Sequence, residues 1–253
     1  MRATLAEWTK LRTVASTPWL QLAAAAVTTA VAFAAAGSIN VHDCPPEGCF
    51  EDTTKLSLAG VQVAQAVVVI FAALAMTMEY GTRTIIATLA AVPRRAVVLA
   101  AKAITVTALT MLAGVAGVLG SLLVGRATLP GNGLAAPSLA DEPTLRAAVG
   151  SVLYLVLIAL LSLGAGALIR DSAGAITTVL LLLYAAPFVA QLISSARWQE
   201  RLEKYAPSAG LAIQATTRLD RLPIGPWAGL GVLACYAAGA LALGTIAFHR
   251  RDA

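Results

Sequence analysis

Six apolar runs of about 20 residues or more divide this chain: about Pro18 to Ser38, Ser57 to Met78, Ala96 to Val124, Leu145 to Ile169, Ala173 to Ser194 and Trp227 to Phe248. Runs of that length match the roughly 30 Å hydrocarbon core of a bilayer. Hydrocarbon offers the backbone no hydrogen-bond partners, so spanning segments must be helices or a closed barrel, and the lack of strict alternation selects helices. Composition agrees: 58% of residues are hydrophobic, 12% are charged and the mean hydropathy is +0.79, whereas soluble domains carry about 25% charge. The expected fold is an all-α polytopic membrane protein, one transmembrane domain over residues 1–253 with six transmembrane helices.

An even number of spans puts both termini on one side, and cationic loops tend to stay in the cytoplasm. Arg2, Lys10, Arg12, Arg83, Arg94, Arg95, Lys102, Arg170, Arg250 and Arg251 share one side with Glu7, Glu79, Asp171 and Asp252. The other side sets Lys55, Arg126, Arg146, Arg197, Arg201, Lys204, Arg218 and Arg221 against nine acids, among them Asp43, Glu51, Asp52, Asp141, Glu142, Glu200 and Glu203. Cytoplasmic termini in a cytoplasmic membrane follow. The net charge of +5 then serves topology and lipid contact; no basic face with interleaved aromatics suggests nucleic acid.

The first run follows a positive start and ends in Ala34-Ala35-Ala36-Gly37, which imitates a signal-peptide cleavage site. Its leader is long and contains Glu7, and its apolar core exceeds the usual 7 to 15 residues, so a retained helix is expected. Cys44 and Cys49 share the first outer loop, with Pro45, Pro46 and Gly48 between them, and form a candidate disulfide. Nearby His42 and Asp43 leave zinc as an alternative, but a metal site needs more ligands and none is expected. Cys235 reads as a small buried apolar residue.

Before the first span, Leu5, Trp8, Leu11 and Val14 recur every third residue, with Glu7, Lys10 and Arg12 largely opposite. Residues 1–17 therefore predict an amphipathic interfacial helix, either a lipid anchor or also a contact for a cytoplasmic partner. The loop from Ser195 to Pro226 holds a charged stretch, Arg197 to Tyr205, and a mildly apolar one, Ala209 to Ala215, which predicts a short re-entrant helix. Asp141-Glu142-Pro143 reads as a helix start. Gly114, Gly117, Gly120, Gly164, Gly166, Gly225 and Gly229 suit close helix contacts without specifying a dimer face.

No Gly-x-x-x-x-Gly-Lys-Ser/Thr loop is present, so the chain does not cradle nucleotide phosphates in that way. His42 and His249 lie apart in a loop and a tail, which leaves no catalytic His constellation; no catalytic residue is expected. No charged residue falls near the middle of a span, which disfavours proton coupling and voltage sensing. The uncharged polar groups in the spans are Gln62 and Gln65 on the second, and Thr177, Thr178, Tyr184 and Gln191 on the fifth. They either line a path or hydrogen-bond between helices.

The segment joining the second and third spans is the most distinctive. Glu79 and Arg83 stand at i, i+4, as do Ile85 and Leu89; Thr82 and Thr84 offer hydroxyls, Gly81 lets the chain turn away, and Pro93 precedes Arg94 and Arg95. A short helix parallel to the membrane is predicted. Here the sequence resembles the permease subunits of type-two ABC exporters, which share the six-helix fold of the ABCG-like transporters. Glu7-Trp8-Thr9-Lys10-Leu11-Arg12-Thr13 is similar to their connector helix, Glu79-Tyr80-Gly81-Thr82 through Pro93-Arg94-Arg95 to their first intracellular loop, and Arg250-Arg251-Asp252 to their ending.

The resemblance implies an exporter permease that moves drug, peptide or lipid-like cargo outward by alternating access. Two copies of a separate ATPase, which hold the ATP and Mg, would drive two permease copies, identical or related; no cofactor sits on this chain. It assigns coupling to Glu79, Tyr80, Gly81, Thr82, Arg83, Thr84, Leu89, Pro93, Arg94 and Arg95, and the connector to Glu7, Trp8, Lys10, Leu11 and Arg12. Gln62, Gln65, Thr177, Thr178, Tyr184 and Gln191 become path candidates. An ATP-independent channel or ion-coupled carrier is the alternative.

Overall fold

A computed structural model describes residues 2–14, 16–39, 52–82, 84, 94–193 and 195–250. Among them the chain is helical, without a strand. In order run α1 (Arg2–Thr13), α2 (Ser16–Gly37), α3 (Thr53–Ser57), α4 (Gly60–Gly81), α5 (Arg95–Thr128), α6 (Glu142–Ile169), α7 (Ser172–Leu192), α8 (Ala196–Tyr205) and α9 (Pro226–Arg250). Three 3₁₀ turns, Leu129–Asn132, Pro207–Gln214 and Leu219–Arg221, complete the set. Six helical stretches are long and apolar enough to cross a membrane: Ser16–Gly37, Thr53–Gly81, Arg95–Asn132, Glu142–Ile169, Ser172–Val189 and Pro226–His249. Each overlaps one of the six expected spans; the third runs eight residues past Val124, and the fifth stops five short of Ser194.

Helix α6 is the centre. It packs against α4, α5, α7, α9 and the Pro207–Gln214 turn, while α2 lies against α4 and α5. Its apolar window is 72% buried, against 18% for that of α7; α7 is a peripheral helix with a wide face not covered by the rest of the chain. The start of α6 matches the expected signal, with extended Asp141 before Glu142 and Pro143, although the Asp141 side chain makes no capping bond. At the other end Arg170 takes φ 62°, a left-handed C-cap ordinarily filled by glycine.

Helix α5 runs for 34 residues, about 50 Å at 1.5 Å per residue. It exceeds the roughly 30 Å hydrocarbon core, so the helix reaches past the apolar zone at one end or both. Lys102 lies eight residues into it, near its N-terminal end.

Two local expectations shift. In α1 the buried residues are Glu7 at 5% and Leu11 at 8% exposure, while Leu5 is 62% exposed. The helix turns a mixed face toward the bundle because Glu7 finds a cation there, leaving Leu5 outward. The apolar stretch after α8 does fold back into the bundle, but as a 3₁₀ turn, Pro207–Gln214, with Ile213 and Gln214 buried. Gly229 makes this possible: a Cβ there would stand 2.2 Å from the Ala209 carbonyl oxygen.

Candidate functional site

Four charged side chains from three helices converge at the end of the bundle where α1 lies. Glu7 and Lys10, one helical turn apart on α1, meet Glu79 in the last turn of α4 and Lys102 near the start of α5. Lys102 Nζ donates to Glu7 Oε2 at 2.8 Å, to Glu79 Oε1 at 2.6 Å and to the Ala75 carbonyl at 3.3 Å. Lys10 Nζ also donates to Glu79 Oε1.

The physical chemistry of this cluster is strict. Lys102 is 1% exposed and Glu79 4%, so each has surrendered its hydration and depends on partners. An ammonium has three protons, and Lys102 has an acceptor for each. Glu79 sits at the carbonyl end of α4, where the helix dipole disfavours a carboxylate; two lysines offset that. The two carboxylates and two ammoniums cancel in charge. The result joins α1, α4 and α5 at the point where the 82–95 segment begins.

A second set of cations closes the same end. Arg95 Nη1 donates to the Phe248 carbonyl at 2.6 Å and Arg170 Nη2 to that of Ala247 at 3.4 Å. Both carbonyls fall in the last turn of α9, where no intrahelical donor remains. Arg170 also stands 5.1 Å over the Tyr80 ring and Arg95 5.8 Å over that of Phe248, while the two rings meet edge to face at 6.4 Å. The ends of α4, α5, α6 and α9 are thus joined through cation–π and capping contacts.

The polar groups within the spans separate by face. Gln62 is exposed, whereas Gln65 is 2% exposed and accepts a hydrogen bond from the buried Tyr154 hydroxyl of α6. Tyr184 donates to the Gln62 carbonyl at 2.6 Å, tying α7 to α4. Both glutamines border a cavity of about 290 Å³ that opens toward the α8 end, beside Lys55, Glu203 and Gln214. Thr177 and Thr178 are exposed on α7; the side chain of Gln191 lies outside the described set.

At that opposite end Asp52 is a hub. Its Oδ1 caps α3 through Lys55 N at 3.0 Å and accepts the Thr216 hydroxyl at 2.7 Å; its Oδ2 accepts the Thr216 and Thr217 amides at 2.5 and 3.0 Å. Burial pushes the carboxyl up, but these hydrogen bonds outweigh it and hold Asp52 below its ordinary value.

The expected connector and coupling residues therefore divide. Glu7, Lys10, Leu11 and Glu79 meet in or beside the ion cluster, and Trp8 is half-buried; Glu79, which the resemblance assigns to coupling, is buried within it. Gly81, Thr82, Thr84, Arg94 and Arg12 are exposed, while Tyr80 and Arg95 are half-buried. Thr82 and Thr84 hydroxyls meet at 2.9 Å. Arg83, Leu89 and Pro93 lie outside the described residues, as do Cys44 and Cys49. Lys102, Tyr154, Arg170 and Asp52 were not singled out. Only Lys102 left a sequence signal, a lone cation seven residues into an apolar run.

A family model described as ABC-2 family transporter protein matches residues 4–186. The chain belongs to this family. As an ABC-2 permease it is a multi-pass membrane transport subunit, not itself catalytic, and membership implies partnership with an ABC ATPase. The matched stretch spans α1 through most of α7, so it contains the ion cluster and the glutamines of α4. No curated protein matches the chain significantly.

Proposed function

We propose that this ABC-2 permease is the membrane half of an exporter in the cytoplasmic membrane, with both termini cytoplasmic, moving drug, peptide or lipid-like cargo outward. Two copies form the path between them, and two separate ATPase chains bind ATP and Mg and drive alternating access. The observation that carries the reading is the ionic junction of Glu7, Lys10, Glu79 and Lys102. It makes α1, α4 and α5 one body at the root of the 82–95 segment, so a push on that segment moves the transmembrane helices instead of bending a loop.

Arg94 and Thr84 are the exposed groups flanking the segment that a partner would touch, while Glu79 acts from behind as a positioning residue. Cargo would pass along the face of Gln62, Thr177, Thr178 and Tyr184. Cys44 and Cys49 are proposed to pair on the outer side.

The test is purification of the chain with its ATPase. Arg94→Glu is expected to reduce ATPase retention and ATP-dependent transport in proteoliposomes together. Transport by the purified chain without nucleotide would sink the proposal and favour a channel or ion-coupled carrier.

A further inference from the structure

One carboxylate oxygen in the ion cluster is left over. Glu79 Oε1 takes both lysines, whereas Glu79 Oε2 is buried and has no hydrogen-bond partner. Buried anionic oxygens are ordinarily paired. Glu79 lines a cavity of about 230 Å³ between α1, the start of α2 and the adjoining half of α4. The walls are mainly apolar, with Leu11, Val14, Leu20, Phe71, Leu74 and Met78, and the hydroxyl residues Ser16, Thr17, Thr82 and Thr84 also line it. The volume is below the 300 Å³ or so of drug-sized pockets, enough for a headgroup and the beginning of a chain.

The donors in the cavity are unequally committed. Lys102 has used its three protons, so it offers nothing to a ligand. Lys10 makes one hydrogen bond, to Glu79 Oε1, and its side chain is 38% exposed. An ammonium at Oε2 with an anion beside Lys10 would satisfy both. A phosphate joined to a primary ammonium by a short linker, on an apolar tail, carries that pair of charges. The cavity also sits where such a molecule resides, against the first turns of α2 and the last of α4, at the edge of two spans.

We propose that this cavity is a binding site for a zwitterionic aminophospholipid of the leaflet that adjoins α1, its ammonium on Glu79 Oε2, its phosphate on Lys10 Nζ and the start of its chains against Phe71 and Leu74. The primary ammonium is essential because Oε2 needs an N–H donor, which a trimethylated headgroup lacks. The site stands apart from the Gln62 cavity at the other end of the bundle and does not depend on the direction of transport.

The test is native mass spectrometry of the delipidated full chain titrated with phosphatidylethanolamine and, separately, phosphatidylcholine of identical chains. The expected result is retention of the ethanolamine lipid at about tenfold lower concentration, the scale of one charge-assisted hydrogen bond. Ala75→Phe fills the cavity from α4 without removing an ionic group and is expected to abolish the preference while unfolding like the parent chain. Lys10→Met, which leaves Glu79 its Lys102 partner, is expected to weaken phosphatidylethanolamine. Equal binding of the two lipids, or a preference that survives Ala75→Phe, overturns the proposal. So does binding of dodecylammonium as tight as that of the phospholipid together with indifference to Lys10→Met, which would make the site one for simple cationic amphiphiles.

Discussion

Lys102 Nζ lies 2.6 Å from Glu79 Oε1 in a junction of α5 and α4 where neither residue is more than 4% exposed. A pair this dry stabilises little relative to an apolar replacement, yet breaking one side strands a charge. The pairing pattern orders the outcomes. Lys102→Met removes Glu7's partner but leaves Lys10 on Glu79, so it is expected to destabilise by about 3–5 kcal/mol. Glu7→Gln should cost less, because Lys102 keeps Glu79, and adding Glu7→Gln to Lys102→Met should restore part of the loss. Unfolding in mixed micelles measures this order, and a larger cost for Glu7→Gln alone contradicts the geometry.

The spans themselves were readable because their cause is local: length and apolarity suffice for a helix in hydrocarbon. The junction was not, since Glu7 and Lys102 are 95 residues apart and pair only once α1 folds back. The 3.0-residue repeat of Leu5, Trp8 and Leu11 predicts an amphipathic interfacial helix but not that Glu7 faces the bundle, which the distant ion pair decides. Gln62 and Gln65 are three apart and so stand only about 60° apart around a helix, yet that is enough for α6 to cover Gln65 and leave Gln62 open.

Arg170 combines a positive φ with two contacts through its guanidinium, and the two roles can be separated. Arg170→Ala loses the Tyr80 and Ala247 contacts and keeps the left-handed strain. Arg170→Gly loses the same contacts but relieves the backbone. The glycine variant is expected to be the more stable of the two by about 1 kcal/mol. Thermal unfolding of both in one detergent decides it; alanine at or above glycine would show that the left-handed cap carries no strain.

Asp52 gives an acid-labile tie at the α8 end. Its folded pKa is depressed, so the stability it contributes is present above the ordinary carboxylate value and is lost as pH falls through the lower folded value. Amide exchange at Thr216 and Thr217 should stay slow near neutrality and quicken, relative to the intrinsic rate, as pH falls below about 4. Asp52→Asn is expected to show fast exchange at neutral pH and a flatter acid dependence. Unchanged protection in Asp52→Asn would mean that the carboxylate does not hold these amides.

Glycines that looked alike in sequence differ in what faces them, and the sign of substitution should follow. A Cβ on Gly164 would stand 2.6 Å from the Ala240 carbonyl carbon and 2.7 Å from Leu241 N, both backbone atoms of α9 that cannot swing aside. A Cβ on Gly114 would meet α6 only at 3.5 Å or more, first at the Leu155 and Val152 side chains, an ordinary contact. Gly164→Ala must therefore push α6 and α9 apart, at a cost of about 1–3 kcal/mol typical of overpacking. Gly114→Ala adds contact and removes backbone freedom, so it should be neutral or stabilising by up to about 1 kcal/mol. Since α9 is also joined to α4, α5 and α6 through Arg95 and Arg170, displacement at Gly164 should loosen that junction. Cysteine cross-linking between α6 and α9 would report the shift in Gly164→Ala and not in Gly114→Ala; equal stability and equal cross-linking in the two variants would refute the close approach.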